Sequence, residues 1–160
     1  MIIKIILISI CLAAIEANVC LAQSSNLQSI TNWGKSVQGV QLSTRLSNRT
    51  FQVGSSATVA AVIKNSSTKD ITLLVSAVNF TVLLTNNAGK SYNIIKPVVI
   101  LYPSQIVTIN PGEKRDESIT VTFAEKIEPG DYTLKATRKF SSSDGDFTLE
   151  SNLIKVTIVK

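Results

Sequence analysis

The chain has 160 residues, 44% of them hydrophobic and 6% aromatic, and its 16 Lys and Arg against 11 Asp and Glu give a net charge of +5. It contains no histidine and only two cysteines, Cys11 and Cys20. This composition excludes Ser-His-Asp and Cys-His nucleophile systems, whose base is an imidazole. It also removes the common ligands of zinc and the histidines of copper sites.

The first element is not expected to belong to the folded domain. MIIK supplies a positive start through Lys4, Ile5 to Ile15 is an apolar core, and Cys20 and Ala22 give a small-x-small pattern before QSS. Together these predict a secretory signal peptide over Met1 to Ala22. The apolar run is shorter than the about 20 residues that a membrane span needs, so no integral membrane protein is expected after cleavage. Lipid attachment at Cys20 would favour leucine three residues earlier and a small residue directly before, but Ala17 and Val19 stand there. Cleavage after Ala22 is therefore the preferred reading, and it takes both cysteines with it. An exported domain without thiol or disulfide must rest on its core alone. It fits a bacterial envelope or secreted protein, periplasmic or extracellular, better than a disulfide-stapled animal domain.

Residues 23–32 are rich in Ser, Asn and Gln and predict a flexible polar leader. Trp33-Gly34 opens the folded part, residues 33–160. From there the hydrophobic period is two. Val40, Leu42, Thr44 and Leu46 alternate with Gln41, Ser43 and Arg45. Val59, Ala61 and Ile63 follow and stop at the turn cluster NSSTKD. Ile71 to Val75 and Phe80 to Leu84 are β-rich runs, and NNAGK separates the second from SYNII as a hairpin loop. Pro97 before VVILY suits a strand start or a sheet edge. Val107 and Ile109 lead into NPGEK, and Ile119, Val121 and Phe123 form the next alternation. EPGD predicts a turn in which Pro129 sets φ and Gly130 takes the positive-φ place. Tyr132, Leu134 and Ala136 then face one way. SSSDGD is a turn, and Ile154, Val156 and Ile158 close the pattern. No segment sustains a 3.6-residue period. About seven to nine short strands predict an all-β, antiparallel immunoglobulin-like β-sandwich, with an up-and-down barrel as the second choice.

The acids of this domain stand mostly in turns beside Lys, Gly or Pro, and its glycines are isolated, so neither a paired-carboxylate site nor a phosphate loop is expected. No enzyme activity and no cofactor or metal is expected. Asp144 and Asp146 are read as hairpin residues rather than calcium ligands, which need more carboxylates and a distal bidentate acid. Asn48-Arg49-Thr50, Asn65-Ser66-Ser67 and Asn79-Phe80-Thr81 match the glycosylation triplet and are read as chance. The basic residues, Arg138 among them, are scattered, which argues against nucleic acid and for a solvated mixed surface. Trp33 is read as packing on the sandwich end, with sugar stacking as its other use. Tyr132 is read as a tyrosine corner, its hydroxyl tied to nearby backbone.

WGKSVQGVQLSTRL, FQVGSSATVAAVIKNSS, INPGE and EPGDYTLKA together resemble uncharacterised exported bacterial domains of immunoglobulin-like fold. The order Asn-x-Ser, Asn-Ala-Gly, Pro-Gly-Glu, Pro-Gly-x-Tyr is more loosely similar to the bacterial intracellular proteinase inhibitor domain. The first resemblance implies an exported, non-enzymatic binding or structural module with a protein or glycan partner. The second implies a protease inhibitor acting through a protruding loop, for which NNAGKSY is the candidate. The interaction candidates are Lys90 and Tyr92 in that loop and Val98, Ile100 and Tyr102 in the apolar edge segment. The structural candidates are Trp33, Pro129, Gly130 and Tyr132.

Overall fold

The alternating runs become strands. A computed structural model of the protein describes residues 32–75, 80–95, 105–143 and 145–160. The expected signal peptide, nearly all of the leader, and the residues Asn79, Asp144, Val98, Ile100 and Tyr102 lie outside the described residues. The strands are β1 (Val40–Arg45), β2 (Thr50–Gln52), β3 (Ser56–Asn65), β4 (Ile71–Val75), β5 (Phe80–Asn86), β6 (Ser91–Asn93), β7 (Gln105–Ile109), β8 (Lys114–Thr122), β9 (Gly130–Ser142), β10 (Gly145–Glu150) and β11 (Ile154–Val159).

β1, β3 and β8 form one antiparallel sheet in that order. The other strands form the second sheet around β9. β9 carries β11 and β10 end to end along one side, and β5 and β4 along the other. β6 extends β5, β7 extends β4, and β2 adds to β11. The class is all-β and the architecture a two-sheet sandwich. Eleven strands are described against the seven to nine expected. The excess comes partly from β2, which has 3 residues and is too short to carry a period-two signal, and from β10, whose inward Phe147 and Leu149 follow directly on the turn read at SSSDGD. β2 and β11 also run parallel, the one described departure from an antiparallel ladder. β2 is a short edge piece, and it satisfies backbone groups that β11 would otherwise leave open: Thr157 N donates to the Arg49 carbonyl at 2.7 Å, and Val53 N to the Val159 carbonyl at 2.8 Å.

The inward faces make one core, because period-two side chains all land on the same side of their strand. Leu42, Ile63 and Val121 from the smaller sheet meet Leu84, Leu134, Leu149 and Val156 from the larger. β9 buries Tyr132, Leu134, Ala136, Arg138 and Phe140 in strict alternation. Phe140 stacks on Phe147 with centroids 5.6 Å apart, and Phe51 on Phe123 at 4.6 Å.

Two seams join the sheets. At one, the Ile94 N–H donates to the Val82 carbonyl at 3.0 Å in the larger sheet, and the Ile94 carbonyl accepts from Thr122 N at 2.8 Å in the smaller. At the other, Asn152 Oδ1 accepts from Thr44 N at 2.7 Å and Asn152 Nδ2 donates to the Thr44 carbonyl at 3.2 Å. The Ser151 hydroxyl beside it accepts from Ala136 N at 3.0 Å. Gly34 passes through this seam, donating to the Leu42 carbonyl at 2.9 Å.

Asn65 shows why a polar residue ends β3 without cost. It is fully buried, yet all four of its amide bonds are made. Nδ2 donates to the Lys69 and Ile109 carbonyls at 2.7 and 2.8 Å, and Oδ1 accepts from Ser67 N and Ser67 Oγ at 2.8 and 2.7 Å. The triplet at Asn65 is thus a loop fastener, with no room for a glycan on its amide in the folded chain. Asn65→Ala leaves the Ile109 carbonyl without this donor and is expected to cost about 2 kcal/mol, read as a lower urea midpoint at unchanged slope.

Candidate functional site

The Pro-Gly turn meets the β5–β6 hairpin at one end of the larger sheet. Gly130 has φ 151°, so the turn uses the freedom expected of that position. The Tyr132 hydroxyl donates to the Glu128 carbonyl at 2.7 Å, which is the predicted corner. Tyr92 lies edge-on to Tyr132, with centroids 6.3 Å apart. Lys90 Nζ sits 5.2 Å from the Tyr92 ring centre and 3.5 Å from Glu128 Oε1. The Tyr92 phenol beside it, and then the Glu128 carboxylate, raise the Lys90 pKa above its ordinary value. Burial, foremost, raises that of Tyr132.

Lys90 and Tyr92 therefore come together, with Lys90 exposed in the loop and Tyr92 turned inward. Tyr92 is buried, because the alternation Ser-Tyr-Asn on β6 turns it into the core. The loop itself is a tight turn: Asn86 N donates to the Lys90 carbonyl at 3.0 Å, and Asn86 Oδ1 accepts from Ala88 N and Lys90 N.

Tyr132→Phe is expected to cost about 1 kcal/mol. It has a pH signature as well. A phenol whose folded pKa is raised stabilises fully below its unfolded value, 10.0. That contribution is lost as pH rises through the folded value. Melting temperature should therefore fall on the alkaline side in the wild type, and less steeply in Tyr132→Phe. Parallel alkaline curves would refute the assignment.

The second cluster lies between the sheets. Arg138 is 1% exposed, although the scatter of basic residues predicts it in solvent. It continues the inward phase of β9, and β8 offers it Glu117 from the facing sheet. Phe80 and Phe140 flank the guanidinium at 4.3 and 4.8 Å. Desolvation lowers the Arg138 pKa, and Glu117 works against that shift. Arg115 Nε stands 3.5 Å from the other Glu117 oxygen. This is a closed ion pair, not an open site.

Among the described residues the remaining acids are dispersed. Asp116 is held by Arg45, Glu150 by Lys135, Asp146 by Lys139, and Asp131 accepts from Thr157 Oγ1 at 2.7 Å. Asp146 also accepts from Ser141 Oγ at 2.7 Å; that bond, and then Lys139, lower its pKa. Its carboxylate closes the β9–β10 hairpin. Among the described residues no three His, Cys, Asp or Glu side chains gather as metal ligands. An open depression of about 660 Å³ lies beside β11, with Arg49, Asn87, Asp131, Thr133, Leu153 and Lys155 on its wall. It mixes charges of both signs.

The third cluster is cationic and aromatic. Lys64 on β3 stands opposite Lys114 on β8 in the ladder, and their Nζ atoms lie 5.7 and 5.9 Å from the centre of the Trp33 ring. Trp33 is half-buried. The backbone on both sides of it is tied to β1: the Ser43 hydroxyl donates to the Asn32 carbonyl at 2.7 Å, and Gly34 N to the Leu42 carbonyl at 2.9 Å. The sequence singles out Trp33 but not its two lysines, since no local spacing relates positions 33, 64 and 114.

Among the described residues no helix is long and apolar enough to cross a membrane. No family model matches the chain, and no curated protein matches it. Among solved structures it is similar to Spo0M, a sporulation control protein from Bacillus subtilis, with 11% identity and a TM-score of 0.48, over 78% of this chain and 51% of that one. It is similar to a β-glucosidase from Listeria innocua, with 18% identity and a TM-score of 0.41, over 78% of this chain and 16% of that one. A family 123 glycoside hydrolase from Clostridium perfringens gives 9% identity and a TM-score of 0.41, over 76% and 27%. The chain thus spans about half of the first neighbour and a small part of the enzymes. Likenesses of this depth assign it neither an activity nor a family.

Proposed function

We propose that the chain is an exported, non-enzymatic binding or structural module of a bacterial envelope or secreted fraction, built as an immunoglobulin-like sandwich and delivered by Met1 to Ala22. The observation that carries this reading is the dispersal of the acids. With no histidine, and with both cysteines in the expected signal segment, carboxylates are the groups best suited to general acid–base work near neutral pH, since the pKa values of Lys90 and Tyr132 are raised further from it. Among the described residues those of the sandwich are spread over separate turns and strands, and Asp116, Glu117, Glu128, Asp146 and Glu150 each have a cation beside them. What remains for such a domain is recognition or architecture, with a protein or a glycan as partner.

Fractionation tests the export half. Expressed from its own first residues in a bacterial host, the protein should leave the cytoplasm and begin at Gln23. Retention in the cytoplasm with Met1 to Ala22 intact would overturn it. The non-enzymatic half is tested by screening the purified domain against glycoside, ester and peptide substrates. Turnover that survives purification and disappears on substitution of a single acid would overturn it.

A further inference from the structure

We propose that Trp33, Lys64 and Lys114 form a binding site for an anionic saccharide, with one sugar ring laid on the indole and its acidic group between the two ammoniums. The proposal rests on the reading of the chain as an exported binding module.

Three observations carry it. The first is the like-charge pair. Lys64 and Lys114 are register partners in an antiparallel ladder, where directly opposed like charges destabilise. In the outer row to which they belong, the β1 position is Gln41, which brings no compensating charge. The second is that nearby carboxylates are engaged elsewhere. Asp116, the next residue of β8 on the same face, is 3.5 Å from Arg45. Glu113, beside Lys114, accepts from Asn110 N at 2.8 Å. Among the described residues neither lysine has an ion-pair partner, while Lys90, Lys135 and Lys139 each do. An anion placed between the two ammoniums would relieve their repulsion.

The third is the anchored backbone of Trp33. Asn32 and Gly34 are both bonded to β1, and Gly34 is pressed against the Glu150 carbonyl. The backbone that carries the indole is thus held in place before any ligand arrives, which lowers the ordering cost of binding. An aromatic face accepts the C–H side of a sugar ring, and cations take its carboxylate, sulfate or phosphate. Single-stranded nucleic acid would call for several stacking rings in line and a tracked cationic groove. One ring with two cations matches one acidic sugar unit.

The test is affinity electrophoresis and calorimetry of the exported protein with oligogalacturonate and dextran sulfate as probes. Neutral dextran, polyglutamate and a single-stranded oligonucleotide serve as comparisons. At least one acidic saccharide should bind, and neutral dextran should not. Trp33→Ala, and separately Lys64→Gln with Lys114→Gln, should weaken binding about ten-fold or more. Lys114→Glu is the sharper variant, because it turns the ladder pair into opposite charges. It should melt above the wild type and yet bind worse, an outcome that loss of folding cannot produce. Failure of both acidic saccharides to bind, or equal binding of polyglutamate or the oligonucleotide, would overturn the proposal. Binding unchanged in the double lysine variant would remove the site and leave the binding-module reading standing. Cytoplasmic retention would remove that reading instead.

Discussion

Glu117→Leu should destabilise the protein by about 3–5 kcal/mol, the largest single effect expected outside wholesale loss of core side chains. The reason is what it leaves behind. Arg138 is 1% exposed, lies among the largest fully buried side chains, and is flanked by two phenyl rings. A guanidinium does not discharge to escape burial, so removing its carboxylate strands a cation between the sheets. The converse substitution, Arg138→Met, exchanges the cation for an apolar side chain and leaves Glu117, 19% exposed, with Arg115. It should cost less. The double variant Glu117→Leu with Arg138→Met should recover most of the loss, because a buried pair often contributes little over an apolar replacement. Urea unfolding of the two single variants and the double closes the cycle. A cost for Glu117→Leu below about 1 kcal/mol, the range of exposed pairs such as Lys135–Glu150, would refute the account. Salt should distinguish the two kinds of pair as well, since screening acts on the exposed one far more than on the buried one.

Gly34→Ala should cost on the order of 3 kcal/mol, the upper end for an overpacked site. A β-carbon built there would lie 1.7 Å from the Glu150 carbonyl oxygen, 2.8 Å from its carbon and 3.0 Å from the Leu42 oxygen. All three are backbone atoms, so no side chain can swing aside; the seam between β1 and β10 must open. Gly54→Ala is the internal comparison. Gly54 has φ 82° and open space around its β-position, so that variant carries only the left-handed backbone penalty, about 1–2 kcal/mol. Thermal melts of the two variants should rank Gly34→Ala well below Gly54→Ala, and equal melting would remove the steric argument. Gly34→Ala should also loosen Trp33, whose position depends on the same backbone.

Some of this was legible along the chain. The Tyr132 corner follows from Pro129, Gly130 and the phase of one strand, because its acceptor lies only four residues back. The hairpin at NNAGK follows from the Asn-to-backbone bonds such a sequence makes within itself. The role of Tyr92 was less legible. Beside a loop it suggests a displayed side chain, and only the pairing of Leu84 with Tyr92 shows which face of β6 is inward.

The sequence by itself determined the all-β class, most strand positions, the inward phase of β1, β3, β8, β9 and β11 and the absence of imidazole chemistry. All of these depend on composition or on neighbours two residues apart. The tertiary structure decided the rest. Arg138 shares its phase with Leu134 and Phe140, but the carboxylate that allows its burial stands 21 residues away on the other sheet. Lys64 and Lys114 become opposed charges only through the β3–β8 register, and Trp33 meets them only because Gly34 threads the seam. Period two is a property of one strand, whereas counter-charges, like-charge pairs and steric limits are properties of two strands brought together.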